Sequence, residues 1–137
     1  MNNKGFTLVE LLAVIALIAI LSGVGVSASS RYIVKSRQKT YQNFEGNLKT
    51  AAYNYISDRT DLVVPGDPNG YTVDAEELHD MELLDNLIDP SSKTPCDYKN
   101  SYVTVTGSLD NPNSYNIDYK YKICLRCSNY TSAACNN

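Results

Sequence analysis

The pattern that dominates this chain is an unbroken apolar run near its start. Every residue from Leu11 to Leu21 is apolar, and the apolar character extends back to Phe6 and forward to Val26. At about 1.5 Å of rise per residue, a helix of this length matches the hydrocarbon thickness of a bilayer. The pattern therefore predicts a membrane-spanning helix over residues 6–26, which we call the apolar segment.

A second periodicity follows the apolar segment. Apolar residues recur at three- and four-residue spacing, which is the period of one buried face on an α-helix. No proline occurs before Pro65, so the sequence predicts one continuous helix from about Phe6 to Arg59. Its second part, residues 27–60, is called the stem. The predicted buried stripe of the stem consists of Tyr41, Phe44, Leu48, Ala51, Ala52, Tyr55 and Ile56.

Residues 61–137 predict a small globular head. Strand-like alternation over Tyr102–Thr106 and again over Ile117–Leu125 predicts two antiparallel strands with one apolar face. Two strands alone are marginal, so a third strand near Asn69–Val73 and packing on the stem are expected. The predicted fold class is α+β. A long N-terminal helix, membrane-embedded in its first half and amphipathic in its second, packs against a small antiparallel sheet.

A short helix is predicted between the stem and the strands. Asp74 and Glu77 have the spacing of an N-cap and its answering residue. Apolar residues at helical spacing then suggest a core-facing stripe on this helix. The stripe consists of Leu78, Met81, Leu84 and Ile88.

One ionisable residue lies inside the apolar segment. Glu10 would place a carboxylate at membrane depth, which costs roughly 2.5–3.5 kcal/mol, so it needs a partner. Cleavage between Gly5 and Phe6 would create an ammonium group one helical turn away. Pairing of this ammonium with Glu10, within or between chains, would set the register of packed helices. Lys4 is the only charged side chain before the cut, and it would keep residues 1–5 on the cytoplasmic side.

The N-terminus resembles the class III signal of type IV pilins and pseudopilins. The resemblance lies in KGFTLVELL, residues 4–12. It implies that a prepilin peptidase removes a leader, residues 1–5, by cutting after Gly5. It also implies N-methylation of Phe6 and a role for Glu10 in assembly.

The same resemblance implies a structural function. The chain would be a pilin or pseudopilin that polymerises with other pilins into a type IV pilus-like filament. The precursor would be a single-pass protein of the cytoplasmic membrane, and an assembly ATPase and a platform membrane protein would extract it. The mature subunit would then lie in an extracellular filament at the cell surface.

Two other interpretations of the N-terminus remain open. In a secretory signal peptide, Leu11–Leu21 would be the apolar core and Val26-Ser27-Ala28 the cleavage site. In an ordinary signal anchor, the helix would stay in the membrane uncleaved. Either alternative would make the chain an exported or anchored binding module or adhesin, with strand Tyr115–Tyr121 as a candidate contact surface. An exported enzyme is the least favoured class.

Four cysteines lie in the last third of the chain, and in an exported protein they indicate disulfide bonds. A zinc site or a redox-active pair at Cys124 and Cys127 is the competing interpretation. Strand parity places Cys127 with inward-facing Leu125 and Cys124 with outward-facing Lys122. Sulfurs on opposite faces favour different partners, which disfavours a Cys124–Cys127 bridge. Because Cys96 precedes the first strand and Cys127 ends the second, a bridge between them would tie the open ends of the hairpin, so we predict Cys96–Cys127 and Cys124–Cys135.

Charge and motif content limit the functional classes. The chain has 12 Lys+Arg and 15 Asp+Glu, a net charge of −3, which gives no indication of nucleic-acid binding. No catalytic motif, cofactor site or metal-ligand pattern occurs, so we expect neither enzyme activity nor a cofactor. His79 with its acidic neighbours, and Asp110 with Asp118 as calcium ligands, are weak candidates for metal binding.

A basic cluster follows the apolar segment. It consists of Arg31, Lys35, Arg37 and Lys39. Acidic groups of neighbouring subunits could neutralise it, or it could be a solvated helix face, which is the commoner situation.

Overall fold

The computed structural model describes residues 5–109, 111 and 116–136, without the side chains of residues 24–28. Helix α1 is followed by a head that contains one further short helix, five strands and two 3₁₀ turns within the described residues. In chain order these elements are α1 (Leu8–Ser57), a 3₁₀ turn (Thr60–Leu62), β1 (Tyr71–Asp74), α2 (Ala75–Asp80), β2 (Tyr102–Leu109), β3 (Ile117–Cys124), β4 (Arg126–Cys127), β5 (Tyr130–Thr131) and a second 3₁₀ turn (Ala133–Asn136).

The long N-terminal helix is confirmed, with bounds within two residues of those predicted. Helix α1 has 50 residues and belongs to both of the compact units into which the chain divides, Met1–Gln38 and Lys39–Asn137. In the first unit every described side chain is exposed.

Among the described residues, no helix is both long enough and apolar enough to cross a membrane.

The second unit contains a three-stranded antiparallel sheet with the order β1-β2-β3. Central Val103 pairs with Val73 on one side and with Ile123 on the other. The third strand expected near residues 69–73 is therefore present as β1. Strands β4 and β5 form a separate two-stranded ribbon.

The core of the second unit lies between one face of α1 and the inner face of the sheet. The predicted stripe of the stem is buried, except for Phe44, which is half-buried. It meets alternate residues of the strands because successive side chains of a strand point to opposite faces. The strand residues buried in this core are Val73, Val103 and Val105, joined by Leu125 after β3.

Half of the stripe predicted on the second helix is confirmed: Leu78 and Leu84 are buried in the core, whereas Met81 and Ile88 are each 42% exposed. Helix α2 ends at Asp80, and Glu82 follows with a left-handed φ of 58°, which no helix can continue through. The helical period is lost there, so Leu87 is buried while Ile88 is 42% exposed. Asp74 is the N-cap residue, but its side chain makes no capping hydrogen bond.

Two disulfide bonds close the C-terminal region. Cys96 is joined to Cys127 and Cys124 to Cys135, the same pairing that the sequence predicts. Cys124 ends β3 on the outer face of the sheet, where the last 3₁₀ turn covers it and supplies Cys135. Cys96 and Cys127 instead pack at the edge of the core.

We expect the two bridges to contribute unequally to stability. They close loops with sequence separations of 31 and 11 residues. Loop-closure entropy grows with loop length, so each bridge contributes roughly 2–4 kcal/mol, and the longer loop contributes more. Replacing Cys96 and Cys127 by alanine should lower the urea midpoint more than the same change at Cys124 and Cys135. Tyrosine fluorescence can follow unfolding; a larger loss for the second pair would contradict the entropic argument.

Candidate functional site

The start of α1 is fixed by a reciprocal pair of hydrogen bonds between Thr7 and Glu10. The backbone N–H of Glu10 donates to Thr7 Oγ1 at 3.3 Å, and the backbone N–H of Thr7 donates to Glu10 Oε2 at 3.5 Å. This is the geometry of a capping box, which requires Ser or Thr followed three residues later by Glu or Gln. Sequence reasoning treated Glu10 only as a misplaced charge and missed this role, although the spacing was visible.

The helix that follows presents a continuous apolar surface. Exposed contiguous apolar surface of this extent marks an interaction site, since single exposed apolar residues are ordinary but extended patches are not. The exposed residues are Phe6, Leu8, Val9, Leu11, Leu12, Val14, Ile15, Leu17, Ile18, Ile20 and Leu21.

The bond between Gly5 and Phe6 precedes the helix. Both residues are exposed, and Phe6 is 79% exposed. A Cβ atom built on Gly5 would meet no atom within 4 Å, so nothing described in this chain requires glycine at that position. Any requirement for glycine there must come from another molecule that holds this segment.

Glu10 lies on the exposed apolar surface close to that bond. Within the described residues, no cationic side chain lies within 4.0 Å of the Glu10 carboxylate. The ion pairs among the described residues, His79–Asp80 and Lys99–Glu76, both lie in the head. The structure thus places Gly5, Phe6 and Glu10 together at one end of α1. Lys4 and the rest of the proposed leader before Gly5 lie outside the described residues.

The weak metal candidates do not converge on a site. His79 contacts Asp80 at 3.9 Å and Asn86 at 3.0 Å on the surface of the head. Asp118 is an exposed residue of β3, while its proposed partner Asp110 and the contact residue Tyr115 lie outside the described residues. The described part of the chain contains no group of three or more metal-ligating side chains.

A buried carboxylate, missed by sequence reasoning, joins α1 to the head. Asp89 is fully buried, and its Oδ1 accepts hydrogen bonds from the Tyr41 hydroxyl at 2.8 Å and the Ser91 N–H at 2.7 Å. Oδ1 also accepts from the Ser92 N–H, and Oδ2 accepts from the Asn129 N–H at 3.1 Å. Burial alone would raise the pKa of Asp89, but these hydrogen bonds outweigh it and hold the pKa below its usual value.

Tyrosine hydroxyls make two further connections between α1 and the head. Tyr130 stacks on Tyr41 with ring centroids 4.3 Å apart, and its hydroxyl donates to Glu45 at 2.7 Å. Burial, together with this hydrogen bond and the Glu45 charge, raises the pKa of Tyr130 to about 12. Tyr55 donates to Glu77 at 2.7 Å, so both tyrosines link the stem to the head while their rings stay in the core.

Comparisons with known proteins match the N-terminus to a known motif and the chain to fimbrial proteins. The family model of the prokaryotic N-terminal methylation motif matches residues 1–26. The fimbrial protein EcpC of Eikenella corrodens is 41% identical over 57 residues, covering 42% of this chain and 37% of that protein. A type IV major fimbrial protein FimA of Dichelobacter nodosus is 29% identical over 107 residues, covering 76% of this chain and 66% of that protein. The chain is therefore similar to fimbrial proteins, one of them a type IV major fimbrial protein.

The similarity covers only part of the length of each relative. The chain spans 37% and 66% of the lengths of these two pilin relatives. The methylation motif includes Gly5, Phe6 and Glu10, the residues that the structure places at the start of α1. Both relatives are fimbrial proteins. No solved structure matches the chain.

We expect Asp89→Asn to destabilise the head. The new amide would direct a donor at groups that themselves donate, and an unsatisfied buried donor costs roughly 1–3 kcal/mol. Because the pKa of Asp89 is lowered by folding, its contribution is present above the ordinary Asp pKa and is lost as pH falls through the folded value. Urea unfolding measures the free energy of unfolding of wild type and Asp89→Asn. The difference between the two should therefore be smaller at acidic pH than at neutral pH.

Asp85→Asn serves as the matched control, since Asp85 is an exposed carboxylate of the preceding loop. Surface substitutions of this kind usually change stability by less than about 0.5 kcal/mol. Equal stability of Asp89→Asn and Asp85→Asn at neutral pH would contradict the linking role of Asp89.

Proposed function

We propose that this chain is the structural subunit of a type IV pilus-like filament, assembled by packing of the apolar segment. The observation that carries the proposal is the exposed apolar surface of α1, which begins directly behind the Gly5–Phe6 bond and contains the carboxylate of Glu10. The relationship to type IV fimbrial proteins supports it. The proposed product is a polymer of this chain, alone or with other pilins, at the cell surface.

The proposed precursor is held in the cytoplasmic membrane by residues 6–26. A leader of residues 1–5 precedes this segment, the stem of residues 27–60 follows it, and the exported head comprises residues 61–137. The uninterrupted apolar run of the sequence supports this division. A prepilin peptidase would cut after Gly5, and methylation would act on the new terminus of Phe6.

Assembly would exchange one apolar environment for another. Burying a large aliphatic side chain is worth about 1.5–3 kcal/mol relative to water, so the apolar segment requires either lipid or neighbouring helices around it. An assembly ATPase and a platform membrane protein would transfer the subunit from the lipid to the neighbouring helices of the filament. Glu10 would then lie among apolar side chains, where an ionised carboxylate needs a cation, and the Phe6 ammonium of the same or a neighbouring subunit would supply it.

An exported binding module or adhesin, secreted without assembly, is the alternative function. It would follow from signal-peptide cleavage after Ala28. The mature N-terminus separates the two proposals, because a filament subunit begins at methylated Phe6 and the secreted module begins at Ser29. Mass spectrometry of the mature protein from the source organism, combined with electron microscopy of its sheared surface fraction, tests both the terminus and the polymer.

We expect Gly5→Leu to block removal of the leader. The exposed segment before α1 has room for the new side chain, so folding should be unaffected and the loss should arise in the peptidase. Immunoblots should show the uncleaved precursor and no surface filaments. Thr7→Leu provides a control in the same segment that leaves Gly5 unchanged; normal processing of Gly5→Leu would remove the proposed cleavage site.

We expect Glu10→Ala to leave processing intact and to prevent efficient assembly. This variant removes both the capping hydrogen bond and the charge, so two further variants separate them. Glu10→Gln keeps a capping acceptor but loses the charge, while Thr7→Val loses the cap and keeps the charge.

Filament yield in the sheared fraction is the measurement. If the ion pair sets the register, Glu10→Gln should fail like Glu10→Ala, and Thr7→Val should assemble. Normal filaments from Glu10→Gln would assign the residue to helix capping and refute the ion-pair role.

A further inference from the structure

Charges of opposite sign are segregated along this chain. Residues 11–44 contain four Lys or Arg side chains and no carboxylate, whereas residues 60–92 contain nine carboxylates and no Lys or Arg. The two compact units differ accordingly, with formal net charges of +3 for Met1–Gln38 and −6 for Lys39–Asn137. A chain whose total charge is only −3 therefore presents one strongly basic and one strongly acidic surface.

The basic surface, which we call the basic block, consists of Arg31, Lys35, Arg37 and Lys39. All four side chains are exposed. No carboxylate of the described residues lies within 4.0 Å of any of them; the described ion pairs lie elsewhere, in the head. Arg31 and Lys35 are four residues apart on α1 and therefore share one face of the helix.

Exposed apolar side chains lie between the cationic residues of the basic block. Tyr32 is 75% exposed and Val34 is 64% exposed, between the cationic residues. A shallow groove of about 350 Å³ runs along this face of the helix. Cations around exposed apolar side chains are the composition of a protein-binding surface, in which apolar contact supplies affinity and charge supplies orientation. The groove is lined by Ser30, Arg31, Val34, Lys35 and Gln38.

The acidic surface, which we call the acidic block, consists of Asp80, Glu82 and Asp85. All three are exposed, and together with His79, which lies 3.9 Å from Asp80, they line a groove of about 400 Å³. Three other acids of the same region have partners within the head. Glu76 lies 3.8 Å from Lys99, Glu77 accepts from Tyr55, and Asp89 is buried with its own donors.

We propose that the basic block of one subunit docks on the acidic block of a second copy of this chain. The inference rests on the proposed function and names a contact of that filament. The basic block follows the apolar segment on the same helix, α1. Packing that buries the apolar segment against other subunits would therefore also bring a neighbouring subunit next to the basic block. Because the two blocks are different surfaces, their contact is head-to-tail, and such a contact repeats along an open helical polymer instead of closing a dimer.

The second copy fits the basic block better than a nucleic acid or an anionic lipid does. Phosphate backbones bind through many cations, and the net negative charge of the chain repels a long polyanion at every other surface. A second copy carries a matching acidic block at equal stoichiometry and adds an apolar contact. Electrostatic pairing of this kind selects orientation and register, which a featureless apolar surface leaves open.

Charge-reversal variants of the full chain in the source organism test the contact. We expect Arg31→Glu with Lys35→Glu, and separately Asp80→Lys with Asp85→Lys, to reduce filament yield by about tenfold or more, since like charges then face each other. Combining all four substitutions in one chain should restore assembly. The matched control is Lys120→Glu with Lys122→Glu, two exposed cations of β3, which should assemble normally.

A cross-link supplies a second measurement. The four native cysteines form disulfide bonds within the chain, so new cysteines have no free native thiol to pair with. We expect Lys35→Cys combined with Asp85→Cys to give a ladder of oligomers on a non-reducing gel of oxidised filaments. Lys120→Cys combined with Asp85→Cys should give no ladder.

The outcomes separate this inference from the proposed function. A mature wild-type chain that begins at Ser29 and forms no filaments would end both. Wild-type filaments together with normal assembly of the reversal variants, or with no rescue in the combined variant, would overturn the docking contact alone. Failed rescue with binding of the purified wild-type chain to anionic vesicles or duplex DNA would reassign the basic block to phosphate groups.

Discussion

The exposed apolar surface of α1 between Phe6 and Leu21 is the constraint on which the rest of this molecule depends. Water is the least favourable surrounding for it, so the chain must be kept in another environment at every stage of its existence. In the proposed assembly, lipid would satisfy that requirement only while the subunit is single. A bundle of identical helices would satisfy it permanently, and the similarity to fimbrial proteins is consistent with that proposal.

In the proposed assembly, the head must stay attached to its stem while that helix passes from lipid to neighbouring helices. Covering the buried stripe of α1 with a small sheet provides apolar contact, but apolar contact alone is not directional. Hydrogen bonds from Tyr41 to Asp89 and from Tyr130 to Glu45 supply direction, because hydroxyl and carboxylate must meet at 2.7–2.8 Å. The Cys124–Cys135 bond acts on the outer face of the sheet, where it ties the last 3₁₀ turn to the end of β3.

Local pattern was sufficient to predict α1 and the three strands of the sheet, because each has one buried face whose period is visible in the sequence. For the cysteines, parity along β3 excluded only a Cys124–Cys127 bridge, and the choice between the two remaining pairings came from the positions of Cys96 and Cys127 at the ends of the hairpin. It failed for the region after Asp80, where the left-handed residue Glu82 and the packing of Leu87 follow from tertiary contacts and have no local signal. The linking role of Asp89 could not be found for the same reason, because the two donors that join it to distant parts of the chain lie 48 residues before and 40 residues after it in the sequence.

Glu10 shows how one residue can serve two requirements at different stages. In the single chain its carboxylate accepts from Thr7 and completes the first turn of α1. That hydrogen bond needs an acceptor but no charge, so capping alone would be met equally by glutamine. In the proposed filament an ionised carboxylate among apolar helices would instead need a cation, and the proposed cleavage before Phe6 would create one within a helical turn. The capping geometry would then hold the carboxylate near the start of the helix, so that its later partner forms where the chain is cut.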